Sequence, residues 1–259
     1  LKTSLEELED LLHFAVDVAR EAGEITLKYF RREPETEKKA DGSFVTIADR
    51  EAEAYMRRRI SERFPTDGIL GEEEGEITGT SGRRWIIDPI DGTFSFVHGV
   101  PFYGVLIALE REGVLEVGVI NIPAVDEMVY AAKGLGCFLN GRQVRVSSVS
   151  KLDEALLLCT DFRACDRHGF GPAAEKLQSS VKTCRTWGDC YGYVLVATGR
   201  AEVMIDAVMN LWDCAALMPI MEEAGGTFTD WQGTRTANGG NAVATNRLLF
   251  ADVMKLISQ

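Results

Sequence analysis

The chain has 259 residues, of which 46% are hydrophobic and 26% charged, enough apolar material for a buried core and ordinary for a globular protein. Its formal net charge of −12 argues against nucleic-acid binding. No apolar run of about 18 residues marks a membrane-spanning helix.

Residues 4–31 predict an amphipathic helix. Ser4 and Glu7 have capping-box spacing, and Leu5, Leu8, Leu12, Ala15, Ala19 and Ala22 recur at three and four residues to build one apolar face. This opening stretch carries acids among its apolar positions. It lacks a basic start, an apolar core and a small-residue cleavage site, so it does not read as a signal peptide, and the cytoplasm is the expected compartment. A polar stretch runs on through Gly42. A second helix is expected from near Thr46 to about Phe64, before Pro65. Residues 84–88 (RWIID) read as a strand running into a turn. From Tyr103 to Val146, short β-rich runs separated by Glu112-Gly113 and Asn140-Gly141 predict an antiparallel meander.

After about Leu152 the pattern alternates: ALLLCT, AAEKLQSS, the segment Tyr191–Thr198, AEVMID, CAALMPIMEEAGG, TFTD and a closing helix near Leu248–Ile257. Such alternation predicts a layered α/β fold. A soft boundary is expected near residue 150. It divides an N-terminal α+β half (1–150), carrying a DPIDGT turn, from a C-terminal α/β half (151–259). Cys137, Cys159, Cys165, Cys184, Cys190 and Cys214 form no CxxC pair and read as reduced thiols in or near the core.

An acidic protein that handles an anionic substrate needs local positive charge, and a divalent cation is the usual source. WIIDPIDGT, Trp85 to Thr93, supplies the strongest candidate ligands. Asp88 and Asp91 lie three apart at a strand end, Pro89 fixes one φ, and Gly92 permits a left-handed or close backbone approach. The turn can aim both carboxylates at one point and offer the Ile90 carbonyl as a third oxygen. Hard oxygen donors without histidine or thiol suit Mg²⁺ or Mn²⁺. Read alone, the same spacing also fits a polar turn with Asp88 as a cap. Glu72 could project from a strand end after Ile69-Leu70, and Asp213 opens a helical run after Trp212. Asp49, three residues after Thr46, reads by itself as a helix cap.

Taken together, DGSFVTIADREAE, ILGEEEG, WIIDPIDGTFSFVHGVP and LWDCAALMPIMEEAGG resemble the inositol monophosphatase family, in that family's order and across most of the chain. The resemblance implies an αβαβα sandwich, a homodimer, and two or three Mg²⁺ ions, with Mn²⁺ possible in their place. It implies that Glu72, Asp88 and the Ile90 carbonyl bind one metal, and that Asp88, Asp91 and Asp213 bind a second. Asp49 would hold a weaker third metal or polarise Thr93. Thr93 would orient the attacking water, while the Gly92 and Thr93 amides face phosphate. Catalytic roles thus fall on Thr93, Asp49 and Glu72. Phe44, Phe94 and Ala207 depart from the family pattern without removing a ligand.

A finer resemblance, in TWGDCYGYVLVATGRAEVMID and FTDWQGTRTANGGNAVATN, is to the histidinol-phosphate phosphatases of that family, which serve histidine biosynthesis. It implies hydrolysis of L-histidinol phosphate to L-histidinol and phosphate by a metal-activated water. The substrate-side candidates are Arg185, Asp189 and Asp206. Asp206 matches the acid that contacts substrate in the wider family, and Asp189 is the distinctive acid, with a bland reading as cap of the helix near Tyr191. Arg185 could pair with either acid or with phosphate. The rival readings are a family member acting on inositol phosphate, a sugar phosphate or a nucleotide phosphate, and a regulatory protein that binds RNA or protein.

Other phosphatase chemistries fit poorly. Arg167-His168-Gly169 sits mid-chain and lacks the second catalytic histidine of the histidine phosphatases. Pro89 occupies the place where a haloacid-dehalogenase phosphatase carries its nucleophilic aspartate. Neither a Cys-x5-Arg loop nor a P-loop occurs.

Overall fold

Ser4 starts helix α1 (Leu5–Leu27), its hydroxyl accepting from the Glu7 N–H at 3.1 Å. The helix ends four residues short of the expected 31. The polar stretch beyond it falls partly outside the described residues, which are 4–32, 36–38 and 44–258 of this computed structural model. Strands β1 (Thr36–Lys38) and β2 (Phe44–Thr46) make an antiparallel pair, and Thr46 then caps helix α2 (Ile47–Arg63).

The next elements are β3 (Gly68–Gly71), β4 (Gly75–Ile77), β5 (Arg83–Asp91), the short helix α3 (Thr93–Val97), β6 (Gly104–Arg111), β7 (Val114–Ile122), β8 (Glu127–Ala132), β9 (Gly136–Leu139) and β10 (Arg142–Val144). Eight of them form one sheet, in the order β10-β9-β8-β7-β6-β5-β3-β4. From β5 to β10 every neighbour is antiparallel, as the meander pattern predicts, and β3 runs parallel to β5. The Asn140-Gly141 turn takes φ of 46° and 82°, the left-handed pair that a tight hairpin requires.

The chain continues through β11 (Leu156–Cys159), α4 (Phe162–Arg167), α5 (Gly171–Ser180), β12 (Thr183–Arg185), α6 (Asp189–Ala197), β13 (Val203–Asp206), α7 (Leu211–Ala215), α8 (Leu217–Glu223), β14 (Thr227–Thr229), β15 (Ala242–Thr245) and α9 (Phe250–Ile257). A five-stranded sheet has the order β12-β11-β13-β15-β14. The apolar run 214–226 is one helical stretch in sequence but two helices in space, divided at Ala216. Pro219 falls in the first turn of α8, where its missing N–H costs no hydrogen bond.

Alternation along the strands sorts the core into layers. Trp85, Ile87, Ile107 and Val119 pack against α1 and α2. Ile86, Leu106, Ile120 and Val129, from the other face of the same sheet, pack against α6, α7 and α8. These middle helices also cover Leu158, Met204 and Ala244 of the five-stranded sheet. Its far face, with Leu157, Val203 and Val243, is closed by α5 and α9. The result is an αβαβα stack. All six cysteines are free, and five of them are buried.

Candidate active site

The candidate ligands meet where β5 ends against the middle layer. Trp85 and Ile87 face α1 and α2, so Ile86 and Asp88 face α6 and α7. Three residues further on, strict alternation would turn Asp91 to the wrong side. A β-bulge prevents this. Asp88 pairs with Leu106 and Asp91 with Gly104, three steps along β5 against two along β6. The extra residue restores the phase and returns Asp91 to the face of Asp88. Pro89 is tolerated there because a bulge leaves an N–H unpaired in any case. The Ile90 N–H donates to Asp88 Oδ1 at 2.9 Å, and the Thr93 hydroxyl donates to the Ile90 carbonyl at 3.0 Å.

The middle layer brings the remaining groups. Asp213 sits in the first turn of α7, where its Oδ2 accepts from the Asn210 N–H at 2.7 Å in a capping box. The first turn of α6 points at the bulge, and the Cys190 N–H donates to Asp91 Oδ2 at 2.5 Å. One oxygen each from Asp88, Asp91 and Asp213 lies within 4.8 Å of the others. Glu72, in the turn after β3, is outside that tight trio. It is near enough that, after burial, its charge is the largest cause raising Asp88 well above the usual carboxylate range. Burial also pushes Asp213 up to about 7, aided by Glu72 and opposed by the Asn210 hydrogen bonds. Asp91 is raised well above its ordinary value by burial, then by Asp189 and Asp213.

Asp49 takes the capping role that its spacing predicts. Its Oδ2 accepts from the Thr46 N–H and hydroxyl at 2.7 and 2.6 Å, which is the capping role. Its Oδ1 is buried and has no hydrogen-bond partner among the described residues. Burial lifts this group to about 7, against the Thr46 hydrogen bonds and with help from Glu73 and Glu72. No direct hydrogen bond joins Asp49 to Thr93.

These residues fit a divalent metal. The donors are all oxygen, three carboxylates converge with mutual repulsion, and a fourth acid holds a buried oxygen unpaired. An orphaned buried carboxylate oxygen is costly unless a cation answers it.

Asp189 is not a side-chain cap. It adopts φ 51° at the first position of α6, and its Oδ2 accepts from Ser95 Oγ at 3.2 Å. That oxygen lies 2.9 Å from where a Cβ on Gly92 would stand. The carboxylate is therefore aimed into the turn that carries Asp88 and Asp91, and burial raises it to about 6. Asp206 ends β13, accepts from the Thr160 N–H at 3.2 Å and from Tyr193 Oη at 3.0 Å, and is pushed up to about 7, mainly by burial. Arg185 is not brought to these acids. It is exposed, and its guanidinium donates to Thr183 Oγ1 and the Cys184 carbonyl. Beside Asp189 opens a cleft of about 540 Å³, walled by Phe94, His98, Phe102 and Thr160. Phe94 is 65% exposed and stacks on His98 at 4.2 Å.

Sequence reasoning missed the partners of these groups. Thr160, whose hydroxyl accepts from the Asp189 N–H at 2.8 Å, gives no local signal. Tyr193 and Cys190 lie inside the quoted GDCYGY segment, yet nothing in it assigns Tyr193 to Asp206.

The family model described as the inositol monophosphatase family matches residues 7–259. A histidinol-phosphatase from Chlorobaculum parvum is 45% identical over 248 residues, 95% of this chain and 96% of that protein. A histidinol-phosphatase from Mycobacterium tuberculosis is 38% identical over 95% of this chain and 96% of its own length. A fructose-1,6-bisphosphatase/inositol-1-monophosphatase from Thermotoga maritima is 33% identical, with 96% of each chain covered. Among solved structures, the extragenic suppressor protein suhB from Bartonella henselae superposes with a TM-score of 0.90 at 29% identity, over 96% of this chain and 99% of that one.

Proposed function

This chain belongs to the inositol monophosphatase family and is a phosphomonoesterase of that family, and from that premise we propose that its substrate is L-histidinol phosphate. The observation that carries the reading is the meeting of three converging carboxylates with a further acid beside a cleft walled by rings. Asp88, Asp91 and Asp213 converge within 4.8 Å, while Asp189 and the ring walls of Phe94, His98 and Phe102 line the adjoining cleft. Histidinol phosphate matches both sides, with a phosphate at one end and an ammonium and an imidazole at the other. Carboxylates recognise an ammonium by charge-assisted hydrogen bonds, and aromatic faces accept a flat or cationic ring. A neutral polyol would leave Asp189 without an ionic partner. The likeness to two histidinol-phosphatases supports the same choice.

Glu72, Asp88, the Ile90 carbonyl, Asp91 and Asp213 are the groups proposed to hold Mg²⁺, with Asp49 Oδ1 available to a further ion. Bound there, divalent cations supply neutralisation of the phosphate charge and acidification of water. The chain's own part is placement. Thr93 donates its hydroxyl proton to the Ile90 carbonyl, so its oxygen lone pairs face outward and can accept from the attacking water, fixing that water's direction. Glu72 and Asp49 are the proposed acceptors of the water proton. Gly92 and Thr93 offer backbone N–H groups to phosphate. Asp206 steadies the substrate side through Thr160 and Tyr193.

The test is phosphate release from histidinol phosphate and from inositol 1-phosphate, each with Mg²⁺ and with excess EDTA. A higher kcat/KM for histidinol phosphate that vanishes in EDTA is expected. A preference for inositol phosphate would transfer the chain to that branch of the family, and full activity in EDTA would remove the metal reading.

A further inference from the structure

Helix α2 carries Asp49, Glu53 and Arg57 at four-residue intervals, hence on one face. Asp49 reaches the metal region. Glu53 and Arg57 do something the reaction scheme above leaves out. Glu53 is fully buried, and its hydrogen bonds among the described residues go to two places. Its Oε1 accepts from Arg57 Nε at 2.8 Å, and Arg57 Nη2 lies 2.8 Å away as well. Its two oxygens also accept the backbone N–H groups of Glu73, at 2.9 Å, and Glu74, at 2.9 Å. Arg57 Nη2 then donates to the Gly75 carbonyl at 2.6 Å. The turn immediately after Glu72 is thus held at three successive residues, all by side chains of α2.

We infer that Glu53, backed by Arg57, is a positioning residue that fixes the Glu72 turn and so presets Glu72 for the metal. The inference rests on the metal reading given above. Three features favour it over a merely structural ion pair. A carboxylate taken fully out of water is expensive, and replacement of such pairs by apolar groups is often neutral or stabilising, so stability alone is a weak reason to retain one. Apart from an ion pair between Arg57 Nε and Glu74 Oε2 at 3.5 Å, the partners outside α2 are backbone groups of a tight turn, so the clamp sets the direction of the turn. Space has also been cleared for it: a Cβ on Gly71 would stand 2.4 Å from Glu53 Oε1 and 2.7 Å from Arg57 Nη2. Groups that orient metal ligands from behind typically change affinity by about 10–100-fold when altered.

The experiment is Mg²⁺ titration by calorimetry, without substrate, on wild type, Glu53→Gln and the paired Glu53→Leu/Arg57→Met variant, alongside thermal melts in EDTA. Glu53→Gln puts an amide N–H₂ against a backbone N–H or the guanidinium, so one anchor of the turn is lost at constant volume. The paired variant removes the clamp and leaves no unpaired buried charge, which keeps the question answerable if Glu53→Gln does not fold. Mg²⁺ affinity about tenfold or more weaker in a variant that is folded at the titration temperature supports the clamp. The KM for Mg²⁺ should rise by the same factor, while kcat at saturating Mg²⁺ falls far less. Wild-type affinity in a folded variant overturns the clamp and leaves the metal reading intact. A wild type that binds no Mg²⁺ overturns both.

Discussion

Single residues in this site are judged by what each oxygen does. Asp91 accepts from the Cys190 N–H through Oδ2 and contributes one carboxylate oxygen to the trio. Asp91→Asn keeps volume and shape but removes a charge from the proposed metal site. Since altering groups behind a ligand costs about 10–100-fold, losing the ligand charge itself should lower activity by more than about 100-fold. Circular dichroism of the variant should match wild type, and a variant that stays active would remove Asp91 from the ligand set. Asp49 and Thr93 make a second case. They share no hydrogen bond, yet both are proposed to act on one water. Asp49→Asn retains an oxygen for Thr46 and fills the orphan position with an amide. Combined with Thr93→Ala it should be little worse than the poorer single variant, because residues that serve one event are not additive. Losses that multiply in kcat would show that the two act separately.

Elements decide what the sequence reveals and what it hides. The helices at 5–27 and 47–63, and the meander, are legible because their apolar periods are regular and their caps and turn pairs are local. The DPIDGT acids stand out as candidate ligands by chemistry and by resemblance, and the structure brings Asp88 and Asp91 together. The bulge that brings Asp91 back to the face of Asp88 is not legible, since it depends on pairing with β6 that no stretch of β5 encodes alone. Asp189 is named from the sequence as the distinctive substrate-side acid, but where it points is hidden for a similar reason. Its helix-start position suggests a cap, whereas its direction comes from a left-handed φ and from Thr160, distant in sequence. The joint between β5 and α3 offers a direct check. Gly92 has φ 84°, and a Cβ there would press on the Asp189 carboxylate. Gly92→Ala should cost about 1–2 kcal/mol for the left-handed backbone, a fall in Tm of roughly 2–4 °C per kcal/mol for a chain of this size. Activity should fall more steeply than stability, which calorimetry and phosphate release on the same sample will separate.

The whole molecule answers to pH through its buried acids. Asp206 stands near 7, raised mainly by burial, as do Asp49 and Asp213, whereas an unfolded aspartate titrates near about 3.9. The metal-free folded state therefore holds more protons than the unfolded state between about pH 4 and 7. The stabilisation is complete below the unfolded value and is lost as pH rises through the folded one. Metal-free Tm should fall across that window. Asp206→Asn, which cannot ionise, should flatten the slope without touching a proposed metal ligand. Melts in EDTA at half-unit pH steps will show whether the slope has this sign, and a Tm that rises from pH 5 to 7 would contradict it.

The middle helices α6, α7 and α8 are the roof of one sheet and the floor of the other. Neither sheet can be exposed to solvent on that side while the other stays shut. In the language of amide hydrogen exchange, the innermost amides of β6 and of β13 should not belong to separate opening units; they should become labile together, in one event of near-global size. A ligand that binds only the folded state raises the cost of that event wherever it is read out. Mg²⁺ should therefore slow exchange in β13, which carries none of the proposed metal ligands, by the same factor as in β6, and exchange monitored by mass spectrometry at residues 104–111 and 203–206 will measure both factors in one sample.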